Sequence, residues 1–317
     1  RVNVFTPVEL NIAMEEVREH LEARRDPLRL REHLFWMIGP TRMSGNFQRS
    51  VEVCDSAIDI AARLGLAPVQ YPTFKSMALM DLGRFDEAWR SIEDETQLRF
   101  GKAMQQWGFL LFKAQLGDAK GVLAAAPALL SEAKALGRVW MTDSIAEMVA
   151  KCGAQAGRLA ASQDFLAGAL EQTGSKPTGA SRAELSLATN EPELALKLAA
   201  REAEYCDSNG MPTRGVEATE VVLRALAALG RWDELVERAQ APVAFADERG
   251  FARLQWRLHA LRATAYDNLA NAEQAAADRA QAQAGFDSIA ATITDAHIRE
   301  CYTAQATALG LNQGGLA

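Results

Sequence analysis

Leu82-Gly83-Arg84-Phe85-Asp86-Glu87-Ala88-Trp89 is the stretch whose reading decides the fold. Glycine takes the left-handed conformation that ends one helix, and the acidic pair Asp86/Glu87 suits the N-terminus of the next. Ala88 then falls one turn into that second helix, where two paired helices approach closely and leave room only for a small side chain. The phrase therefore predicts a helix–turn–helix hairpin. It recurs as Gly45/Phe47/Ser50, Gly117/Ala119/Val122, Gly157/Leu159/Ser162 and Gly230/Trp232/Leu235. In two further copies, Asn190/Pro192/Ala195 and Asn271/Glu273/Ala276, Asn stands where the others have Gly. Anchors fall roughly 33 to 41 residues apart, the period of helix-pair repeats.

The second helices of these pairs end alike, in RLGLAP at Gly65, KALGRV at Gly137, SNGMP at Gly210 and ERGFA at Gly250. Leu66, Met211 and Phe251 follow as the apolar residue of a Schellman ending. Ahead of the first pair, Thr6-Pro7-Val8-Glu9 has the form of a capping box with Pro at the first helical position, and Asp26-Pro27 repeats the device. Thr294 or Asp295 is placed to cap a last helix to about Leu309, followed by a frayed LNQGGLA tail. The expected fold is all-α: a right-handed superhelix of about seven tetratricopeptide-like helix pairs with capping helices at both ends. It forms one domain over 1–317, with a capping helix in 1–27, helix pairs in 28–290, and a capping helix and tail in 291–317. QTGSKPTGASR and DSNGMPTRGVE, rich in Gly, Pro and Ser, are expected to be loops between units.

Composition agrees. Hydrophobic residues make up 49% of the 317 and aromatics only 7%, a balance that favours Ala/Leu helix packing over sheets. A net charge of −7 argues against general attraction to nucleic acid. The four cysteines, Cys54, Cys152, Cys206 and Cys301, form no CxxC pair and are expected to be reduced thiols. No apolar run approaches the roughly 20 residues that cross a bilayer, and RVNVFTPVEL lacks the plan of a signal peptide. With no initiating Met, the chain reads as a soluble piece of a larger protein or as a trimmed one, and the reduced thiols suit the cytoplasm.

LGRFDEAW, LGRWDELVERA, the endings ARLGLAP and FADERGF, and a period nearer 40 than 34 resemble the divergent tetratricopeptide domains of large bacterial signalling proteins. These include LuxR-type transcription activators of the maltose-regulator kind and cyclase- or kinase-fused sensors. The resemblance covers about residues 28 to 285. It implies a non-catalytic sensor that binds an inducer or partner protein and passes the signal to an effector domain of the same polypeptide. The alternative is a protein–protein interaction scaffold with no small ligand. Strict consensus Trp, Tyr and terminal Pro positions are missing, which sets the chain apart from peptide-clamping co-chaperones.

No catalytic constellation is legible. His20, His33, His259 and His297 have no HExxH, paired-His or Cys–His context, so neither enzyme activity, metal nor cofactor is expected. REHL occurs at Arg18–Leu21 and Arg31–Leu34, and the arginines around it interleave with Glu19, Glu22, Asp26 and Glu32 as on a solvated helix face. HLFWMIGPTRM reads as an apolar helix kinked or ended early at Gly39-Pro40, with Phe35 and Trp36 either in a core stripe or on an aromatic wall at one end of a groove.

In a stack of helix pairs the first helices line the concave surface. Counting back from each anchor places Phe35, Thr73, Trp107, Glu147, Ala180, Glu220 and Leu261 there, with Met77, Leu111, Lys151, Glu184 and Arg224 about one turn later. Glu147, Lys151, Glu184, Glu220 and Arg224 are expected either to pair across neighbouring units or to hold a polar ligand, with Trp107 free to stack on a ring. Gln255, Trp256, His259 and Arg262 form a second mixed cluster, with Trp256 in the core beneath an exposed His259. The candidate groove set is thus Phe35, Trp36, Met77, Trp107, Glu147, Lys151, Glu184, Glu220, Arg224, Gln255, His259 and Arg262. No direct contact with nucleic acid or membrane is expected.

Overall fold

A computed structural model of the chain describes residues 6–68, 70–93, 99–155, 157–173 and 179–309. Among these residues there are sixteen α-helices and no strand. Helix α1 (Pro7–Ala23) leads into α2 (Pro27–Met43) with α3 (Phe47–Arg63), α4 (Tyr71–Asp81) with α5 (Phe85–Glu93), and α6 (Arg99–Gln115) with α7 (Ala119–Ala135). There follow α8 (Val139–Gln155) with α9 (Leu159–Thr173), α10 (Gly179–Ala188) with α11 (Pro192–Ser208), and α12 (Pro212–Ala228) with α13 (Trp232–Arg249). Last come α14 (Ala252–Asn268) with α15 (Ala272–Ala290), and α16 (Ala296–Ala308). Each helix packs on its successor from α1 to α9 and again from α10 to α16. The even-numbered helices also meet one another in order from α2 to α14, so they form a continuous inner layer beneath the odd-numbered ones.

The turns follow the chemistry of the quoted phrase. Gly83 sits at φ 74 between α4 and α5, and the Arg84 N–H reaches back to the Leu79 carbonyl at 2.8 Å. The same six-residue closure ends α3, where Leu66 N–H meets Ala61 O at 2.8 Å, and α13, where Phe251 N–H meets Ala246 O at 2.9 Å. Ser50, Ala88, Val122, Ser162, Ala195 and Leu235 are all buried at the helix–helix contact. At the N-terminus, Glu9 N–H donates to Thr6 Oγ1 at 3.3 Å while the Thr6 N–H donates to Glu9 Oε2 at 2.9 Å, completing the capping box. Asp26 caps α2 through Arg29 N–H, and Asp295 rather than Thr294 caps α16 through Ile298 N–H at 2.8 Å.

Four local expectations are corrected. Helix α2 runs through Gly39-Pro40 to Met43, because Leu34, Met37, Ile38 and Thr41 are buried on both sides of the break; Pro127 and Pro242 are likewise carried inside α7 and α13. DSNGMPTRGVE is no loop: α11 ends at Ser208 and α12 starts at Pro212, a residue well suited to a first turn. Of the other interruption, 174–178 lie outside the described residues, as does the 310–317 tail, and α10 begins at Gly179. In the last pair the left-handed residue is Ala270 (φ 57), not Asn271, so the residue buried five positions on is Ala275 while Ala276 is exposed. Leu66 stays 40% exposed, so the apolar half of that Schellman ending is not built, whereas Phe251 is fully buried.

In a simple stack each pair touches only its neighbours. Here α12 also meets α2, and α14 meets α4. Phe47 of α3 packs on Phe251 with ring centroids 4.8 Å apart. Phe85 of α5 lies near Tyr302 of α16, which stacks on Phe286 of α15 and sits edge-on to Trp256 of α14. Phe47, Phe85, Phe251, Phe286 and Trp256 are all under 2% exposed. Each such burial contributes about 1.5–3 kcal/mol, so the contact between early and late helices is a true core.

Candidate functional site

Where the inner helices converge they leave a cavity of about 230 Å3, lined by Gln115 of α6, Ser144, Glu147 and Lys151 of α8, Ser181 and Glu184 of α10, Glu217 and Glu220 of α12, and Arg253 of α14. Met148, Val221 and Leu254 add apolar wall, and Glu202 and Arg214 line it as well. The charged positions follow from helix geometry: Glu217, Glu220 and Arg224 recur at three- and four-residue spacing on α12, and Arg253 and Arg257 lie one turn apart on α14.

Two ion networks frame the space. In the first, Arg253 donates from Nε to Asp81 Oδ1 at 3.1 Å, from Nη1 to Gln115 Oε1 at 2.9 Å and from Nη2 to Glu217 Oε1, while Arg42 Nε meets Asp81 Oδ2 at 2.6 Å. Asp81 is 1% exposed, so α2, α4 and α14 are tied through one buried carboxylate, and Glu217 brings α12 to the same Arg253. In the second, Arg257 donates to Glu220 Oε1 at 2.6 Å and to Gln305 of α16, and Arg224 donates to both oxygens of Glu184 at 2.8 and 2.9 Å. Lys151 Nζ stands 3.9 Å from Glu184 Oε1. Burial alone would raise the Glu220 pKa, but Arg257 and Arg224 outweigh it and hold the carboxyl at about 2. Glu217 is governed the same way: burial opposes its charge, and Arg253 and Arg42 keep its pKa below the ordinary value.

The structure brings together Glu147, Lys151, Glu184, Glu220 and Arg224 around one half-open cavity. Trp107 is 4% exposed, its indole N–H bonded to Ser144 Oγ and its ring edge-on to Trp140, so it is a core residue and not a stacking platform. Met77 packs between two cores. Phe35 is half-buried among Trp36, Tyr71 and Phe74, and Trp36 is 61% exposed. Gln255, His259 and Arg262 form a separate cluster away from the cavity, and His259 is buried rather than exposed because Asp278 and Asp247 reach its two ring nitrogens at 2.7 and 3.1 Å. Burial works against the imidazolium there, but the two carboxylates prevail and raise its pKa.

Counting back from the turns missed Asp81, Gln115, Glu217, Arg253 and Arg257, which sit at other turns of the same inner helices; the i,i+3 and i,i+4 charge spacing on α12 and α14 was the available signal. Reading along the chain also passed over His297 and Cys301, four residues apart on one face of α16 and brought beside Asp118 by the fold.

No known family model matches the chain, and no curated protein matches it.

Proposed function

We propose that this chain is the sensor segment of a larger bacterial signalling or transcription-regulatory protein. Its helix pairs wind into a right-handed superhelix of about seven tetratricopeptide-like units, capped at both ends and working in the cytoplasm without catalysis. The observation that carries the reading is the cavity of about 230 Å3 whose wall presents carboxylates and cations side by side. A space of this size is below the roughly 300–1,000 Å3 of drug-sized pockets, and suits a small metabolite bearing both acidic and basic groups. Because the wall is drawn from α6, α8, α10, α12 and α14, occupancy would alter how early and late helices meet, and an attached effector domain would read that change.

The test is a melting-temperature screen of α-amino acids and dicarboxylates against the chain and its Lys151→Met variant. A true ligand at about one hundred times its Kd stabilises the wild type by about 2.7 kcal/mol and the variant by less. No shift from any compound in the panel, or an equal shift in both proteins, rejects ligand binding in this cavity.

A second reading, a protein-binding scaffold, is favoured by one separate feature. Trp36 and Trp140 are 61% and 44% exposed, and Arg31, Phe35, Tyr71, Phe74, Arg138 and Trp140 line a shallow depression of about 470 Å3. Aromatic and Arg side chains are the types that dominate protein interfaces. Loss of effector-domain binding in Trp36→Ala/Trp140→Ala, with the cavity screen negative, would favour it.

A further inference from the structure

The α6–α7 turn meets α16. Asp118 of that turn is 3% exposed in its side chain, and its Oδ1 lies 3.4 Å from Nε2 of His297. The Cys301 sulfur is 3.7 Å from the same nitrogen, and one ligand atom from each of the three residues falls within 4.8 Å of the others. Among the described residues no other group of three His, Cys, Asp or Glu side chains converges in this way.

Tetrahedral zinc geometry sets a standard for these distances. With Zn–N and Zn–O of about 2.0–2.1 Å and Zn–S of about 2.3 Å, a nitrogen and an oxygen on one ion stand about 3.3 Å apart, and a nitrogen and a sulfur about 3.5 Å. The observed nitrogen–oxygen and nitrogen–sulfur separations of 3.4 and 3.7 Å match both, and the oxygen and sulfur lie within 4.8 Å of each other. The site is also held in place. Gly121 N–H donates to Asp118 Oδ1 at 2.8 Å, the kind of outer hydrogen bond that orients a ligating carboxylate. The turn and helix are in close register: a Cβ on Gly117, at φ 84, would lie 2.7 Å from Gln305 Nε2 and 3.2 Å from the Cys301 carbonyl oxygen. His297 is 60% exposed, which gives an ion a way in.

We propose that Asp118, His297 and Cys301 form a binding site for a zinc-class divalent cation, with the fourth position open to water or an outside ligand. The donor set, one carboxylate oxygen, one imidazole nitrogen and one thiolate sulfur, is the mixture that zinc takes and that calcium and magnesium do not. Binding converts the Cys301 thiol to thiolate and releases its proton to solvent, with His297 neutral. The ion fastens α16 to the α6–α7 turn. It thereby locks the seam where Tyr302 enters the core with Phe85, Trp256 and Phe286. None of the three residues lines the ligand cavity.

The test titrates the reduced, full chain with Co2+ as a coloured substitute for zinc. A thiolate-to-cobalt charge-transfer band should appear at one equivalent, vanish in Cys301→Ser, and require at least about tenfold more metal in His297→Ala, a loss no smaller than that from removing an outer-sphere partner. Both variants alter the partly exposed face of α16, and circular dichroism checks that they remain folded. As a second readout, Zn2+ should protect Cys301 of the wild type from alkylation, located by mass spectrometry. Absence of the band, its persistence in Cys301→Ser, or unchanged alkylation with saturating Zn2+ would overturn the site and leave a plain His297–Asp118 contact.

Discussion

Arg253→Met probes whether early and late helices share one body. The guanidinium is held by Asp81 of α4, Gln115 of α6 and Glu217 of α12, and its Cζ lies 5.0 Å over the Phe251 ring. Arg253 is 8% exposed and Asp81 1%. Met replaces the bulk and keeps the apolar stem, so the change isolates the charge. Asp81 is left buried with Arg42 alone. Removing one partner of a buried pair costs about 3–5 kcal/mol, a large part of the roughly 5–15 kcal/mol that holds a typical domain. In urea unfolding, with slopes of a few kcal/mol/M, the midpoint should fall by on the order of 1 M at constant slope. Asp81→Asn/Arg253→Met should recover much of the loss, because the orphaned charge is gone. Arg84→Ala is the control: its pair with Glu87 is solvent-exposed, and such pairs contribute about 0–1 kcal/mol. An Arg253→Met loss no larger than that of Arg84→Ala, or simple additivity in the double variant, would refute a buried tie between early and late helices.

Other outcomes follow from the same contacts. A Cβ on Gly83 would lie 2.8 Å from Ile289 Cγ1 and 3.1 Å from Ala252 Cβ, whereas Gly65 has open space around it. Gly65→Ala should therefore lose only the roughly 1–2 kcal/mol of a left-handed alanine, and Gly83→Ala about 1–3 kcal/mol more from overpacking; equal losses in chemical denaturation would show that α4–α5 does not meet α14 and α15 as described. For His259 the folded pKa lies above the ordinary value, so its contribution to stability is complete below about pH 6.5 and disappears as pH rises through the folded value. Melting curves across that range should show a decline that His259→Gln flattens; an unchanged pH profile in the variant would count against the Asp278–His259–Asp247 contact.

The hairpins were legible because their signals are local. A glycine in the left-handed region, a capping Asp or Thr and a small residue one turn on act within about ten residues, and Gly83, Asp26 and Ala88 behave as the phrase predicts. Where local signals competed, packing decided. Asn is the commoner left-handed residue, yet Ala270 takes that conformation and the Asn271 N–H closes the turn onto Tyr266 O, because this register buries Ala275. Pro40 reads as a break, yet the buried residues flanking it carry α2 onward.

The candidate site was harder to read because its character depends on how far each pair is rotated from the last, a quantity no single turn encodes. Had the inner layer stayed open, Glu184, Glu220, Arg224 and Arg253 would face water, where unpaired charge is cheap and periodicity alone would place them on a wall. Contact of α12 with α2 and of α14 with α4 removes much of that water. Each charge then needs a partner, since a lone buried ion is costly. The pairings found meet that demand: Arg224 donates to Glu184 forty positions back in sequence, Arg257 to Glu220 thirty-seven back, and Arg253 to Asp81 one hundred and seventy-two back. The first two spacings are one repeat period, so they were visible in principle as charges at matching positions of successive units. The third joins units far apart and exists only because α14 packs against α4. That long-range pair is what turns a ladder of charged positions into the wall of a cavity.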